Sequence, residues 1–310
     1  MRRLGFSYKS MPKIPVLLDD VSFVAQRAFY FRRLTELRES GAFIYFHDET
    51  WLNAGQEKRS IWIDEKGEGR LRKHDGKGKR IAISAMIGVQ GFVEPFDVRT
   101  CDSDHAMNSD HFHKWIRDAA GRLRINHGAG SIIATIIDNA TWHNVLCDDA
   151  KPPKRAWRKD QLQQWLDNHR IQWVPRLSKA ELLQLAFENV PPKRYVSNAI
   201  ARAFDVEVLR LPIKYCVLNP IELAWAQLKS YVRKANINFR LSDVENLALE
   251  LIAAIDKDLA QSFNEHAKKA EEIFKTADAF AEDSIEPQLI HTDDENDFAL
   301  HDPDATDSSE

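Results

Sequence analysis

The chain has 310 residues, of which 44% are hydrophobic and 29% charged, a balance that excludes wholesale disorder. Its three cysteines have no C-x-x-C spacing, which excludes a disulfide framework and a cysteine-rich zinc site. We expect no membrane span and no secretory signal, because no apolar run approaches the roughly 18 residues that a span needs.

The formal net charge of -4 combines two oppositely charged parts of the chain. Residues 276–310 hold 12 acidic residues and no Lys or Arg, while residues 1–275 carry a net charge of +8. This division predicts an acidic disordered tail and a polyanionic partner for the body, although a solvated basic surface is the commoner cause of such an excess.

The first half of the chain predicts one helix followed by strands. Apolar residues at helical spacing predict a helix over 19–39, which Gly41 ends. The apolar run 42–46 predicts a buried strand that Asp48 closes. Three further segments are expected: a strand at 60–63, a hairpin loop at 66–80 and a strand at 81–89.

The second half alternates helices with strands, which indicates an α/β domain. We expect Ser109 to cap a helix through Arg124, and the β-branched run 131–137 to form a central strand that ends at Asp138. The remaining expected elements are a helical region over 151–204, a strand at 206–211, a helix capped by Asn219 with Pro220 first, and a long helix from Ser242 with a Ser242–Glu245 capping box.

Three carboxylates occupy the ends of these elements. Asp48 and Asp138 close predicted strands, and Glu222 lies in the first turn of a helix. Ligands of open α/β sheets bind at such a rim, and converging carboxylates need a cation to stay ionised. Oxygen ligands favour Mg²⁺ or Mn²⁺, and two such ions can promote phosphoryl transfer. Taken singly, each residue could instead serve a turn or a helix cap.

The segments around these acids carry a family resemblance. FIYFHDETWLN (43–53), TIIDNATWHN (135–144) and LNPIELAWAQLK (218–229) resemble the three catalytic blocks of mariner-superfamily transposases. These are cut-and-paste enzymes with a DDE triad on an RNase H-like fold. The resemblance covers roughly residues 1–240, with the blocks in the order of the family.

The resemblance implies a fold, a chemistry and a set of partners. The fold would be α/β, an RNase H-like mixed sheet flanked by helices, with a helical insertion before the last catalytic helix. Asp48, Asp138 and Glu222 would be both the catalytic residues and the ligands of Mg²⁺ or Mn²⁺, as two ions, with no organic cofactor. The reaction would be hydrolysis at transposon ends and strand transfer into target DNA; formation of a homodimer stays open.

Two departures from the family pattern set the expected domain boundaries. The 83 residues between Asp138 and Glu222 exceed the family's spacing, and the N-terminal stretch resembles only the tail of a second helix-turn-helix domain. The expected organisation is a helix-turn-helix remnant (1–14), the first part of the catalytic domain (15–145), a helical insertion (146–205), the rest of the catalytic domain with C-terminal helices (206–275) and the acidic tail (276–310).

The insertion holds most of the basic excess of the body. Residues 151–205 have a net charge of +6. The segments 157–171 and 177–190 resemble the helix-extension-helix pattern of SAP-like DNA-binding modules, and Ser178 with Glu181 forms a capping box for the second helix. Its Lys and Arg residues could neutralise phosphates without reading bases. The alternative is a helical elaboration packed on the sheet, with a solvated basic face.

Other functions and other residues remain open from the sequence alone. A truncated or domesticated transposase-derived protein would bind DNA without transposition, and another metal-dependent phosphodiesterase could share the fold. His47 and His143 flank the acids and are expected to be structural, with a contact to DNA or to a metal ligand as the alternative. A DNA substrate implies a nuclear location in a eukaryote and a cytoplasmic one otherwise.

Overall fold

The computed structural model of the chain describes residues 21–55, 79–101, 107–238 and 240–285. The described residues form one mixed sheet in the order β3-β2-β1-β4-β5. Its strands are β1 (Phe43–Asn53), β2 (Arg80–Gly88), β3 (Gly91–Cys101), β4 (Ile133–Ile137) and β5 (Val206–Arg210). β1, β2 and β3 pair antiparallel, whereas β4 pairs parallel with both β1 and β5. The expected central position of the apolar strand before Asp138 is therefore confirmed.

Helices cover both faces of this sheet, as expected for a flanked mixed sheet. Along the chain they are α1 (Val21–Glu39), α2 (Ser109–His127), α3 (Lys159–Asn168), α4 (Lys179–Glu188), α5 (Val196–Arg202), α6 (Ile221–Ala235), α7 (Leu241–Ala254) and α8 (Lys257–Phe280). Side chains alternate across β4, so Ala134 and Ile136 join the core under α1, α6, α7 and α8, while Ile133 and Ile137 join the core under α2 and α5.

Strand β1 is longer than the sequence pattern indicates. The expected strand stops before Asp48, but β1 continues to Asn53. Its parallel pairing with β4 ends at Phe46, after which only β2 pairs with it, from Phe46 to Asn53. Asp48 therefore does not close β1; it lies just past the point where the parallel partner ends.

Several expected helix starts also differ from the structure. The side chain of Asn108, and not Ser109, caps α2 by accepting a hydrogen bond from the backbone N–H of His111 at 2.9 Å. The long helix expected from Ser242 is two helices, α7 and α8, and no side chain caps the start of α7. The Ser178–Glu181 capping box at the start of α4 is confirmed.

The insertion leaves and rejoins the sheet through a narrow neck. Leu146 and Tyr195 form an antiparallel bridge, flanked by backbone hydrogen bonds of 2.9 Å at Cys147 and Val196. Beyond this neck, α3 and α4 bury a hydrophobic cluster of their own, formed by Leu162, Trp165, Leu166, Leu182 and Ala186. Helix α5 packs on α2 and β5, so within the expected insertion it is α3 and α4 that share this separate cluster. The bounds 146–205 stay a prediction.

Some expectations fall wholly or partly outside the described residues. These are the remnant at 1–14, the strand at 60–63, most of the loop at 66–80 and residues 286–310 of the tail. The expected start of the tail at Thr276 lies inside α8, where its hydroxyl donates to the carbonyl of Glu272 at 2.8 Å. Within the described ranges, no helix is long and apolar enough to cross a membrane.

Candidate active site

The three acids singled out by the sequence line one pocket of about 330 Å³. Phe46 of β1 pairs in register with Ile136 of β4. Asp48 lies two residues further along β1 and Asp138 directly follows the end of β4, so the two acids lie near each other and line the same pocket. The first turn of α6, which packs on the sheet, adds Glu222. The expected convergence of these side chains is therefore what the geometry shows.

The carboxylates of this pocket differ in their pKa. Burial, with the charges of Glu49, Glu222 and Asp138, raises the pKa of Asp48 well above its usual value. Partial burial also raises the pKa of Glu222. The charge of Lys229 acts to lower this pKa, and the charge of Asp138 acts to raise it. Burial acts on Asp138 in the same direction, but its contacts with His143 and with the N–H of Ala140 lower its pKa overall.

A polar network lies on the other side of Asp138. Nδ1 of His143 is 2.6 Å from Oδ1 of Asp138, and Nε2 of His143 is 3.0 Å from Oε1 of Glu49. The first contact is short, although its angles are poor for a hydrogen bond. Burial would lower the pKa of His143, yet the two carboxylates raise it to about 9. Trp142 Nε1 donates to the same Glu49 oxygen at 3.1 Å.

His47 belongs to the same network but stays neutral. Its ring is fully buried, its centroid lies 4.1 Å from that of the tilted Trp115 ring, and its Nε2 lies 2.9 Å from the hydroxyl of Ser84. Burial lowers its pKa to about 4. The expectation that both histidines are structural thus describes His47, whereas His143 contacts an acid of the pocket directly.

Ligand atoms of His47, Glu49 and His143 lie within 4.8 Å of one another, so these buried residues could in principle hold a metal ion. However, both ring nitrogens of His143 already face carboxylate oxygens, and Glu49 accepts from Trp142 and His143. A cation there would have to displace these contacts. The network is therefore better described as a support for Asp138.

The pocket that contains the three acids suits a divalent cation better. Asn219, only 3% exposed, lines it and leaves its Oδ1 without a hydrogen-bond partner among the described residues. Its Nδ2 donates to the carbonyl of His47 at 3.2 Å, so Asn219 joins α6 to β1 instead of capping the helix as expected. Carboxylates and an unpaired amide oxygen form the oxygen-only donor set that Mg²⁺ and Mn²⁺ prefer.

Two residues of this region are not predicted by the sequence. Glu49 follows Asp48 directly, and strand alternation sends it to the opposite face, where it is 6% exposed. A charged residue inside an apolar strand pattern was the available signal. Lys214 lines the pocket with a backbone φ of 71°, and an irregular loop after β5 offers no pattern that would reveal it.

The fold and pocket together define a class: an α/β sheet protein with clustered carboxylates at the rim. No protein-family model matches the sequence, and the comparison with curated proteins found no significant similarity. Solved structures of the Mos1 mariner transposase are similar in fold. Its paired-end complex with the left transposon end has 13% identity and a TM-score of 0.58, over 89% of this chain and 68% of that one.

Two further Mos1 complexes agree with this likeness. The mariner paired-end complex with Mn gives the same identity, TM-score and coverage, and the complex with Mg gives 14% identity and a TM-score of 0.54 over 88% and 68%. At such identities the likeness shows the fold. This chain therefore shares the fold of these mariner transposase structures, an RNase H-like mixed sheet flanked by helices, as the sequence blocks predict.

Proposed function

We propose that this chain is the catalytic domain of a mariner-type DNA transposase, a metal-dependent endonuclease and strand transferase. The observation that carries the proposal is the convergence of Asp48, Asp138 and Glu222 on one pocket of an RNase H-like sheet. Asp48 lies on β1, Asp138 directly follows the neighbouring β4 and Glu222 lies on the packed helix α6, so the sheet and this helix bring the three backbone positions together.

The same three side chains are proposed to hold two ions of Mg²⁺ or Mn²⁺. Burial and the neighbouring carboxylates raise the pKa of Asp48, so a bound cation would favour its charged form, and the unpaired Asn219 oxygen offers a further donor. Bound divalent cations supply charge neutralisation at the reacting phosphate and activation of the attacking oxygen. The role of the protein is then to keep these oxygens in place while a DNA strand lies across the open side of the pocket.

Transposon ends and target DNA are the proposed substrates. The similar Mos1 structures include a complex with its left transposon end, which supports DNA as the partner. A DNA substrate further implies a nuclear location in a eukaryote and a cytoplasmic one otherwise.

A nicking assay on supercoiled plasmid with Mg²⁺ or Mn²⁺ tests the proposal. Asp48→Asn, Asp138→Asn and Glu222→Gln should each abolish nicking, because they keep the shape of the side chain and remove a ligand charge. Asp148→Asn is the matched control, since the side chain of Asp148 is 96% exposed outside the pocket. Nicking that survives in Asp138→Asn would refute the proposed chemistry.

The same assay separates the two rival functions. DNA binding without any nicking by the unaltered chain would favour a domesticated DNA-binding protein. Preferential cleavage of RNA–DNA hybrids over duplex DNA would favour another phosphodiesterase of this fold.

The insertion is proposed to bind the phosphate backbone of DNA. Lys154 and Arg155 are exposed and have no ion-pair partner in the described part of the chain. Changing both to Gln should weaken duplex binding. It should also reduce the slope of log K against the logarithm of the salt concentration by about two units, since each phosphate contact contributes roughly 0.9 to this slope. The pair Lys268 and Lys269 of α8, also exposed, provides the control with equal charge change. Equal effects of both double variants would assign the loss to net charge alone.

A further inference from the structure

We infer that Glu49 and His143 are positioning residues that fix the carboxylate of Asp138 from the side of the sheet opposite to the pocket. The inference rests on the proposed function, because it gives Asp138 the role of a metal ligand. It adds two residues to the site, one on β1 and one on the segment that follows β4.

Asp138 needs such support because of where it lies. β4 ends at Ile137, so the sheet ladder does not hold the residue itself, and its side chain is 44% exposed. A half-exposed carboxylate just past the end of a strand can rotate, and rotation would misplace its oxygens. Ala140 donates its N–H to Oδ1 at 2.9 Å, which fixes the same oxygen that His143 contacts at 2.6 Å.

These two contacts set which oxygen remains for the pocket. Both fall on Oδ1, and the described residues contribute no hydrogen bond to Oδ2. The orientation of the carboxylate is therefore defined, with Oδ2 as the oxygen available to a ligand. Supports of this kind commonly change metal affinity 10- to 100-fold when they are removed.

His143 can act in this way because its own ring cannot turn. The side chain is fully buried, the Phe112 ring lies 3.9 Å from it between centroids, and Nε2 is tied to Glu49 at 3.0 Å. Glu49 is held in turn by Trp142 Nε1 at 3.1 Å. Since Trp142 and His143 both belong to the segment after Asp138, one carboxylate on β1 anchors that whole segment beside Asp48.

Two substitutions of His143 separate positioning from simple filling of space. The side-chain nitrogen of Asn reaches about the place of Nδ1, so His143→Asn keeps a donor for Asp138. The longer Gln reaches about the place of Nε2, so His143→Gln keeps the contact with Glu49 and loses that with Asp138. Mn²⁺ binding to the full chain is measured by isothermal titration calorimetry, and thermal unfolding is followed in parallel with a chelator present.

We expect His143→Gln to weaken Mn²⁺ binding about 10-fold or more. His143→Asn should change the logarithm of the dissociation constant by less than half as much. Glu49→Ala should also weaken binding, with Glu49→Gln, which keeps an acceptor, closer to the unaltered protein. If His143→Asn and His143→Gln lose Mn²⁺ affinity equally, and the loss follows the fall in melting temperature of each variant, the positioning role is overturned. The proposed function would still stand. Unchanged Mn²⁺ binding in Asp138→Asn would overturn the proposed function, and this inference with it.

Discussion

Arg210, at the end of β5, offers the sharpest test of how the segment after Asp138 is held. Its guanidinium donates to Asn144 Oδ1 at 2.8 Å, to the carbonyl of His143 at 3.0 Å and to Ser197 Oγ at 3.0 Å, and it also contacts Asn198. No carboxylate pairs with it in the part of the chain that the structure describes. Burial lowers its pKa to about 10, so it is still charged at neutral pH.

The cost of removing this side chain follows from these contacts. A hydrogen bond that involves a charged group contributes about 1.5–3 kcal/mol, and the stacking of the guanidinium on the Tyr195 ring at 3.8 Å adds about 0.5–2 kcal/mol. The contributions are not additive, because one side chain makes them all and its truncation also relieves a buried charge. We therefore expect Arg210→Ala to lower the free energy of unfolding by about 3–5 kcal/mol.

Urea denaturation of the full chain, with a chelator present, measures this change. Arg210→Lys keeps the charge but not the planar fork of donors, so it should lose about half as much stability. Arg202→Ala, at an exposed position of the adjacent α5, is the control and should stay within about 0.5 kcal/mol of the unaltered protein. A loss below about 1 kcal/mol for Arg210→Ala would refute the reasoning.

Three further predictions concern the network, the pocket and the insertion. The stability of the metal-free protein should fall as the pH rises from 6.5 toward 9, because His143 then holds its proton only in the folded chain; a flat denaturation profile over this range would contradict the assignment. Below pH 6.5 the lowered pKa of His47 and the raised pKa of Asp48 act on stability in opposite directions. Asp48→Asn should raise the melting temperature of the metal-free protein, by about 2–4 °C for each kcal/mol of repulsion relieved, and a lower value in differential scanning calorimetry would argue against repulsion. Leu166→Ala, at a fully buried site, should cost about 2–5 kcal/mol and accelerate amide hydrogen exchange in α3 and α4 but not in β4; equal acceleration in β4 would show that the insertion has no core of its own.

The sequence predicts the parts of this fold that are apolar and regular. The run before Asp138 is so rich in β-branched residues that it indicates a central strand, and β4 has that place. Strand β3 escapes prediction because it mixes charges with Pro95 at the edge of the sheet, where one face meets water. The pattern of an edge strand is weak since little of it is buried.

The candidate site shows the same limit on a smaller scale. The acids that line the pocket are predictable because they stand beside apolar runs and in blocks that resemble a known family. Glu49 is not, because its role depends on His143, 94 residues further along the chain. Likewise, a capping pattern assigns Asn219 to its own helix, although its side chain bonds across to β1. Local patterns do not encode contacts between distant segments.

The bridge between Leu146 and Tyr195 has a consequence for how such a chain can vary. The two chain segments of this narrow neck are hydrogen-bonded to each other. The separation of β4 from β5 is therefore set on the sheet side of the neck and not by residues 147–194. The entropy of closing a longer loop grows only slowly with length. The part of the chain beyond this bridge could therefore be shortened or enlarged without moving Asp138 relative to Glu222. The number of residues between those two acids thus carries little information about their distance in space.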